Sequence, residues 1–349
     1  MKKIGWGVVG YGGMGGYHVR RINERSDMEI IGVYDIDPER NKAAEKDGIK
    51  SYPTLEALLA DENIIGITVV TPNHFHKEIA IQALESGKDV VCEKPVTLNL
   101  KDLEDIIEAA NRCGKLFTVH QNRRWDEDYL TARKVFETGV IGKVFRFESR
   151  VLGSRGVPTD WRYQLPSGGM VYDWGIHLID QMLQMMGERK IKSVYTTMTQ
   201  VSTDEVDDGF TSIFKFDDGI EWIVEVGTNN FTNLPRWYVL ADNGTAVIED
   251  WNLNGKCVMV TDWENKDAVP IVAGAGLTKT MAPRDNDSIK EFPLPEVKAS
   301  WNEFYDNIVD VVNGKAEQLI KHDELIRSMK TVEAVFESGK NNKVVLTDI

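Results

Sequence analysis

Cysteine is scarce in this chain of 349 residues, with Cys92, Cys113 and Cys257 the only three. An odd number at such wide spacing argues against both a disulfide framework and a zinc site. The expected compartment is therefore a reducing cytoplasm. No apolar run approaches the ~20 residues that a membrane-spanning helix needs, so no membrane association is expected. The opening Met-Lys-Lys-Ile-Gly-Trp-Gly enters a strand directly, without the apolar stretch and small-residue cleavage site of a signal peptide. Positive charge is also in short supply: 41 Lys and Arg face 55 Asp and Glu, for a formal net charge of -14. A phosphate backbone rewards clustered Lys and Arg, so no nucleic-acid partner is expected for this composition. Internal repeats and low-complexity tracts are absent.

What is present is enough apolar material, 42% of 349 residues, for more than one core. The expected division is a dinucleotide-binding domain over residues 1–121 and a substrate-binding and oligomerisation domain over 122–349, with the C-terminal helices free to pack back on the first. An apolar run from Lys3 to Val9 is followed by a helical pattern to about Arg25 and by a second strand at Glu29 to Val33. Between strand and helix stands Gly10-Tyr-Gly12-Gly13-Met14-Gly15, which fits G-x-G-x-x-G. The first glycine allows the tight turn, the second lets backbone approach a pyrophosphate, and the third packs helix on strand. The helix N-terminus then offers unpaired N–H groups to phosphate. Asp35 ends the second strand 20 residues after Gly15, where an acid takes the ribose hydroxyls and repels a 2′-phosphate. NAD is therefore expected over NADP, although Asp35 also suits a simple turn in Asp35-Ile-Asp37-Pro38 and Arg40 is placed to accommodate a 2′-phosphate.

Strand and helix patterns continue to alternate: Ile64–Val70, His74–Glu85, Asp89–Cys92, a helix capped by Asn99 with Asp102 three positions on, and Lys115–Val119. A parallel, doubly wound sheet follows, with ligands beyond the carboxyl ends of its strands. Thr71-Pro72-Asn73 and Glu93-Lys94-Pro95 occupy such ends. The expected cofactor contacts are Gly10, Gly12, Gly13, Met14, Gly15, Asp35, Thr71, Pro72, Asn73, His76, Glu93, Lys94 and Gln121. Lys94 leaves a hydrophobic strand, and Pro95 biases it away from helical geometry, which suits a side chain held at the strand's edge for proton transfer or alcohol orientation.

A second chemistry-bearing run lies far downstream. After Ser167-Gly168-Gly169, helical periodicity runs from Met170 to Met186 and places Asp173, His177 and Asp180 near one face. His177 has the unperturbed pKa nearest neutrality in this group, so it is the natural acceptor for an alcohol proton. Asp173 is suited to bind a substrate hydroxyl or to raise the basicity of His177. Gly175, costly inside a helix, signals close packing by a nicotinamide ring or another backbone segment. No metal is expected at Asp173, His177 and Asp180, because no second histidine-rich element accompanies them. His120 ends a strand, as a structural or cleft-lining residue.

These motifs closely resemble the glucose-fructose oxidoreductase, inositol dehydrogenase and rhizopine-catabolism family. The likeness takes in Gly10 to Gly15, Thr71-Pro72-Asn73, Glu93-Lys94-Pro95, Arg123-Arg124, Trp161-Arg162, Gly168-Gly169 and Asp173-x-Gly175-x-His177-x-x-Asp180. It implies that Lys94, Asp173 and His177 form the catalytic group and that Asn73 and Glu93 line the nicotinamide half. It also implies an α/β architecture: an N-terminal Rossmann domain followed by an α+β domain with a large, mostly antiparallel open sheet. Lys94, Arg123, Arg124, Trp161, Arg162, Asp173 and His177 are the expected substrate contacts.

The second half independently reads as sheet. Phe210–Phe216 and Ile220–Val226 flank one turn, and Trp237–Leu240 and Thr245–Ile248 flank another. Helices are expected near Ser300–Val312, with a Ser300/Glu303 capping box, and Asp323–Ser338, before a strand at Val344–Leu346. Residues 262–298 give no clear element; Ala273-Gly-Ala-Gly276 and Thr278 to Arg284 look like a long loop. An apolar outer sheet face would need covering, so a homodimer or homotetramer is expected. The function this predicts is NAD-dependent oxidation of a secondary hydroxyl on a sugar, polyol or sugar derivative. The alternatives are an NAD-dependent glycosidase that oxidises transiently and eliminates, and a non-enzymatic nucleotide-binding regulator of a sugar pathway.

Overall fold

A computed structural model describes residues 3–265, 270–278 and 280–349. The first third alternates strand and helix: β1 Ile4–Val9, α1 Gly13–Asn23, β2 Met28–Tyr34, α2 Pro38–Lys46, α3 Leu55–Leu59, β3 Gly66–Val69, α4 His76–Glu85, β4 Asp89–Cys92, α5 Leu100–Cys113 and β5 Phe117–Val119. Apart from one half-buried position in β1 and four in the edge strand β2, these strands are buried along their whole length, as strands covered on both faces should be. They form a parallel sheet in the order β2-β1-β3-β4-β5. The order reverses between β1 and β3, and ligands bind at such a switch point. The loops after β1 and β3 both open there. Asn99 caps α5 by accepting from the Asp102 amide at 2.9 Å, as its sequence pattern indicated.

Beyond β5 come α6 Glu127–Thr138, β6 Val144–Leu152, α7 Ile176–Met186, β7 Ile191–Thr199, β8 Gly209–Phe216, β9 Glu221–Gly227, β10 Trp237–Ala241, β11 Gly244–Ile248 and β12 Gly255–Val260. Both expected hairpins form, β8 with β9 and β10 with β11. They belong to a nine-stranded sheet, β15-β12-β11-β10-β6-β9-β8-β7-β16, in which only β6 and β9 pair in parallel. One face buries Phe147, Phe210, Phe214, Trp222 and Trp237 beneath Ile179, Met182 and Met186 of α7. The other face departs from the apolar surface expected of it. Its centre carries an ion-pair ladder in which Arg146 and Arg150 both bind Glu148, while Arg150 reaches Glu225 at 2.8 Å. Half-buried Ile213, Ile223, Tyr238 and Leu240 flank the ladder.

The stretch expected to be a loop is not wholly irregular. Strands β13 Ile271–Ala273 and β14 Gly276–Thr278 pair as a short hairpin, and β15 Ile289–Phe292 adds an edge to β12. Residues 266–269 and 279 of that stretch lie outside the described residues. Helix α8 spans Asn302–Val312 and begins two residues later than expected, without the Ser300 capping box: Trp301 is its N-cap, and Ser300 meets Glu303 only through its carbonyl. Helix α9, His322–Asn341, is longer than its apolar pattern suggested, and β16 Val345–Leu346 then pairs with β7. Phe304, Tyr305 and Ile308 of α8, with Leu325 and Met329 of α9, complete the core of the parallel sheet; Val332 and Val335 of α9 join the core of the large one. Helix α9 therefore clamps the two sheets to each other.

Candidate active site

The glycine loop following β1 is shaped by contacts that no side chain could replace. A Cβ at Gly10 would lie 2.5 Å from the Val70 carbonyl oxygen, and Gly10 itself has φ +99°; a Cβ at Gly15 would lie 2.0 Å from the Gly10 oxygen. Gly13, by contrast, faces open space. The result is a cradle whose rim is bare backbone at the start of α1, suited to a pyrophosphate. Met14 is part-exposed on that rim. Asp35 braces the loop: its carboxylate accepts from the Tyr11 amide at 2.6 Å and from the Asp37 amide at 2.9 Å, so the turn role and the ribose position coincide in one residue. Arg40 leans over the same loop, with Nη1 3.4 Å from the Tyr11 carbonyl oxygen.

The strand-end residues divide into two groups. Thr71 Oγ1 and Gln121 Oε1 are buried with no protein partner among the described residues. Such orphaned groups cost free energy unless something else pairs with them, and a polar cofactor would do so. With the cradle, they make the residues present fit a dinucleotide. Pro72 leads into a 3-10 turn, Asn73–Phe75, where Asn73 donates to the Ser167 carbonyl at 3.1 Å and links the glycine-loop side to the downstream motif. His76 and Glu93, however, stand behind the cleft. The His76 ring is buried, with Nε2 2.7 Å from the Thr71 carbonyl and Nδ1 3.1 Å from those of Pro95 and Val96, which leaves no nitrogen for a cofactor.

Glu93 is occupied just as fully. Its Oε1 accepts from His18 at 2.9 Å and His120 at 2.7 Å, and its Oε2 from the Lys94 amide at 3.0 Å. Tyr305 of α8 closes the network with its hydroxyl 3.0 Å from His18 Nδ1. Burial pushes the Glu93 carboxyl up, but His120 and His18 outweigh it and hold the group well below the usual carboxylate range. Burial likewise lowers His18, consistent with a neutral ring that donates to Glu93 and accepts from Tyr305. The ligand-type atoms of His18, Glu93 and His120 lie within 4.8 Å of one another, and these hydrogen bonds already account for them. The network fixes the strand end from which Lys94 projects.

Opposite it, the downstream run does not begin as an α-helix. Val171–Gly175 form a π-helical turn before α7, and such turns mark places where a helix yields regularity to position side chains. Asp207 supports its start, accepting from the Val171 amide at 2.9 Å. A Cβ at Gly175 would lie 2.7 Å from Cζ of Phe210 and 3.4 Å from the Met170 carbonyl oxygen, so the close packing foreseen there is made first by an aromatic side chain. Lys94 crosses the cleft to this turn: Nζ donates to the Asp173 carbonyl at 2.8 Å and to its Oδ1 at 3.1 Å. Arg162 donates to Asp173 Oδ2 at 2.8 Å. The Asp173 carboxylate is thus shared by two cations and is not paired with His177. Burial raises its pKa, and Lys94 and Arg162 bring it below the usual value.

His177 is 5% exposed, and its Nδ1 has no partner among the described residues. Burial, followed by the charges of Lys94 and Arg123, holds its pKa well below the ordinary histidine value. The imidazole is consequently neutral around pH 7 and able to accept a proton. Its ring stands 5.8 Å from that of Trp174. Arg123 lies 4.2 Å over the Trp174 ring and donates to Asp126 at 2.9 Å, while Arg162 lies 4.6 Å over Trp161.

Arg124 does not join them. It forks onto Asp180 at 2.8 and 2.7 Å and reaches Glu324 of α9 at 3.0 Å, with its side chain 5% exposed. Asp180 and Arg124 therefore lock α7 to the 3-10 turn Asn122–Trp125 and to α9, and removing one partner of such a buried pair typically costs about 3–5 kcal/mol. Sequence reasoning missed His18, Trp174, Trp251, Arg236 and Tyr305 as parts of this region. His18 left a signal, three residues past Gly15 on α1, and Trp174 lies inside the Asp173–His177 run; Trp251, Arg236 and Tyr305 come from distant segments that only the fold brings together.

The chain also resembles known proteins along its length. Residues 4–121 match the profile described as the oxidoreductase family, NAD-binding Rossmann fold, and residues 129–247 match the GFO/IDH/MocA C-terminal domain. Among solved structures, an NAD-binding protein from Listeria innocua superposes with a TM-score of 0.95 at 45% identity, over 99% of this chain and 100% of that one. A scyllo-inositol 2-dehydrogenase (NADP(+)) from Bacillus subtilis is 26% identical over 351 residues, 98% of this chain and 95% of that protein. An inositol 2-dehydrogenase from Salmonella paratyphi B is 30% identical over 229 residues, 64% and 67% respectively.

Proposed function

Because this chain belongs to the GFO/IDH/MocA family of oxidoreductases, we propose that it oxidises a secondary hydroxyl of a sugar, polyol or sugar derivative, with NAD as the acceptor. The observation that carries this reading is His177: a buried, neutral imidazole whose Nδ1 no group engages among the described residues, kept neutral in part by the charge of Lys94. A bound nicotinamide supplies the hydride acceptor. The protein's own residues then do three things. The glycine cradle and the orphaned Thr71 and Gln121 groups bind and orient the dinucleotide. Lys94, tethered to Asp173, holds the reacting oxygen and favours its developing negative charge. His177 takes the hydroxyl proton as that charge forms, a role worth roughly 10² to 10⁴ in rate.

Asp173, fixed between Lys94 and Arg162, positions the ammonium and presents oxygen to a neighbouring hydroxyl. Arg123, Trp161 and Arg162 shape the surrounding pocket, where charged forks and aromatic faces suit a hydroxylated ring. Arg40 above the glycine loop favours NADP as a second reading of the cofactor, against Asp35, whose charge disfavours a 2′-phosphate.

The test is a panel of polyols and sugars incubated with the protein and NAD, followed by NADH absorbance. At least one member should yield NADH and a ketone in equal amounts. Turnover of a nitrophenyl glycoside at substoichiometric NAD without net NADH would replace the dehydrogenase reading with a glycosidase. NAD binding with no turnover of either kind would replace it with a regulator.

A further inference from the structure

We propose that Trp251 is the outer wall of the substrate pocket and takes the C–H face of a cyclic polyol or sugar ring. Trp251 belongs to the turn between β11 and β12, far in sequence from every motif described above. It stands half exposed, 50%, yet it is held from behind: the Arg236 guanidinium lies 3.7 Å from its ring centroid. Arg236 is itself buried and bound to Asp128, so it is a fixed support for the indole. The turn is pinned too, with Asp250 accepting from the Asn252 amide at 2.9 Å and the Asn254 side chain at 2.7 Å.

The position of this ring is what gives it a role. Its centroid is 5.9 Å from that of Trp174, and Trp174 is 5.8 Å from His177. Arg123 flanks both tryptophans, 4.2 Å from the Trp174 centroid and 5.7 Å from that of Trp251. The row Trp251, Trp174, His177, with Arg123 at its side, therefore leads from a half-exposed ring to the buried imidazole. Hydroxylated rings present apolar C–H faces and polar edges, and binding pockets meet them with one aromatic plane and a few fixed polar groups. A tryptophan kept open on one side and braced by a buried cation on the other supplies that plane with little ordering left to lose on binding. This assignment rests on the proposed oxidation of such rings, because it is His177 that makes the row a path to a reacting carbon.

The experiment uses the full-length protein with saturating NAD, its Trp251→Ala and Trp251→Phe variants, and myo-inositol and D-glucose as ring probes, titrated calorimetrically and assayed for NADH. For the probe that binds, Trp251→Ala should weaken affinity about tenfold, with KM rising more than kcat falls; Trp251→Phe should restore most of the affinity. NAD affinity and melting temperature, read in parallel, register any loss of fold. Equal ring affinity in Trp251→Ala and wild type would overturn the wall, as would failure of both probes to bind wild type. Ring binding that depends on Trp251 without any oxidation would leave the wall standing and refute the dehydrogenase reading instead.

Discussion

His177 is the proposed proton acceptor, and its surroundings set a sign that can be measured. Its folded pKa lies below the ordinary histidine value, first through burial and then through Lys94 and Arg123. A base must be neutral to work, so the acid limb of the oxidation rate should fall below the ordinary range near 6.5. The same shift means that the stability His177 contributes is complete above its unfolded pKa and is lost as pH falls through that range toward the folded value. In the protein without substrate, an NMR titration of the His177 ring should show Arg123→Ala moving its pKa upward. An unchanged or lower value would contradict the electrostatic account. The residue type and its spacing from Asp173 were legible in the sequence. The pairing was not, since an i, i+4 relation cannot reveal that Lys94 and Arg162 claim the carboxylate first, nor that Arg124 is spent on Asp180.

At the scale of elements, the parallel sheet and both hairpins were readable because their apolar periods are clean and their turns carry glycine or Asp-Asn-Gly signals. β6 was not read: its outward positions Arg146, Glu148 and Arg150 are charged, which disguises a central strand. The π turn at Val171–Gly175 was equally hidden, because its cause is Phe210 pressing on Gly175 and Asp207 holding its first amides, contacts made across the fold. Ser300 and Glu303 have the spacing of a capping box, but Trp301 takes the N-cap position and Tyr305 packs onto His18. The cofactor prediction belongs here, since the glycine loop, Asp35 and Arg40 act as one element. NAD should bind at least about tenfold more tightly than NADP, a difference of about 1.4 kcal/mol. Asp35→Ser should narrow the gap, and Arg40→Ala should widen it. Fluorescence titrations that give equal affinities for the two dinucleotides would sink the assignment.

For the whole molecule, two sheets are joined by α9, and the candidate active site lies where Lys94, beyond the end of β4, meets the π turn that precedes α7. The C-terminal segment thus reaches the site from behind, through Tyr305, although it contributes nothing to the motifs. The outer face of the large sheet, an Arg–Glu ladder flanked by half-buried Ile213, Ile223 and Tyr238, is proposed to meet a second copy of the chain. Light scattering at micromolar concentration should give a dimer or tetramer, and a monomer there would remove this interface. Turnover and NAD affinity compared in His177→Ala and Lys94→Ala, with the substrate that the panel identifies, decide whether these two residues carry the chemistry. His177→Ala should lose roughly 10² to 10⁴ in rate while NAD affinity barely moves, and Lys94→Ala should lose most turnover with only a modest change in NAD affinity. Activity per folded molecule preserved in His177→Ala, with only the melting temperature lowered, would contradict that chemistry.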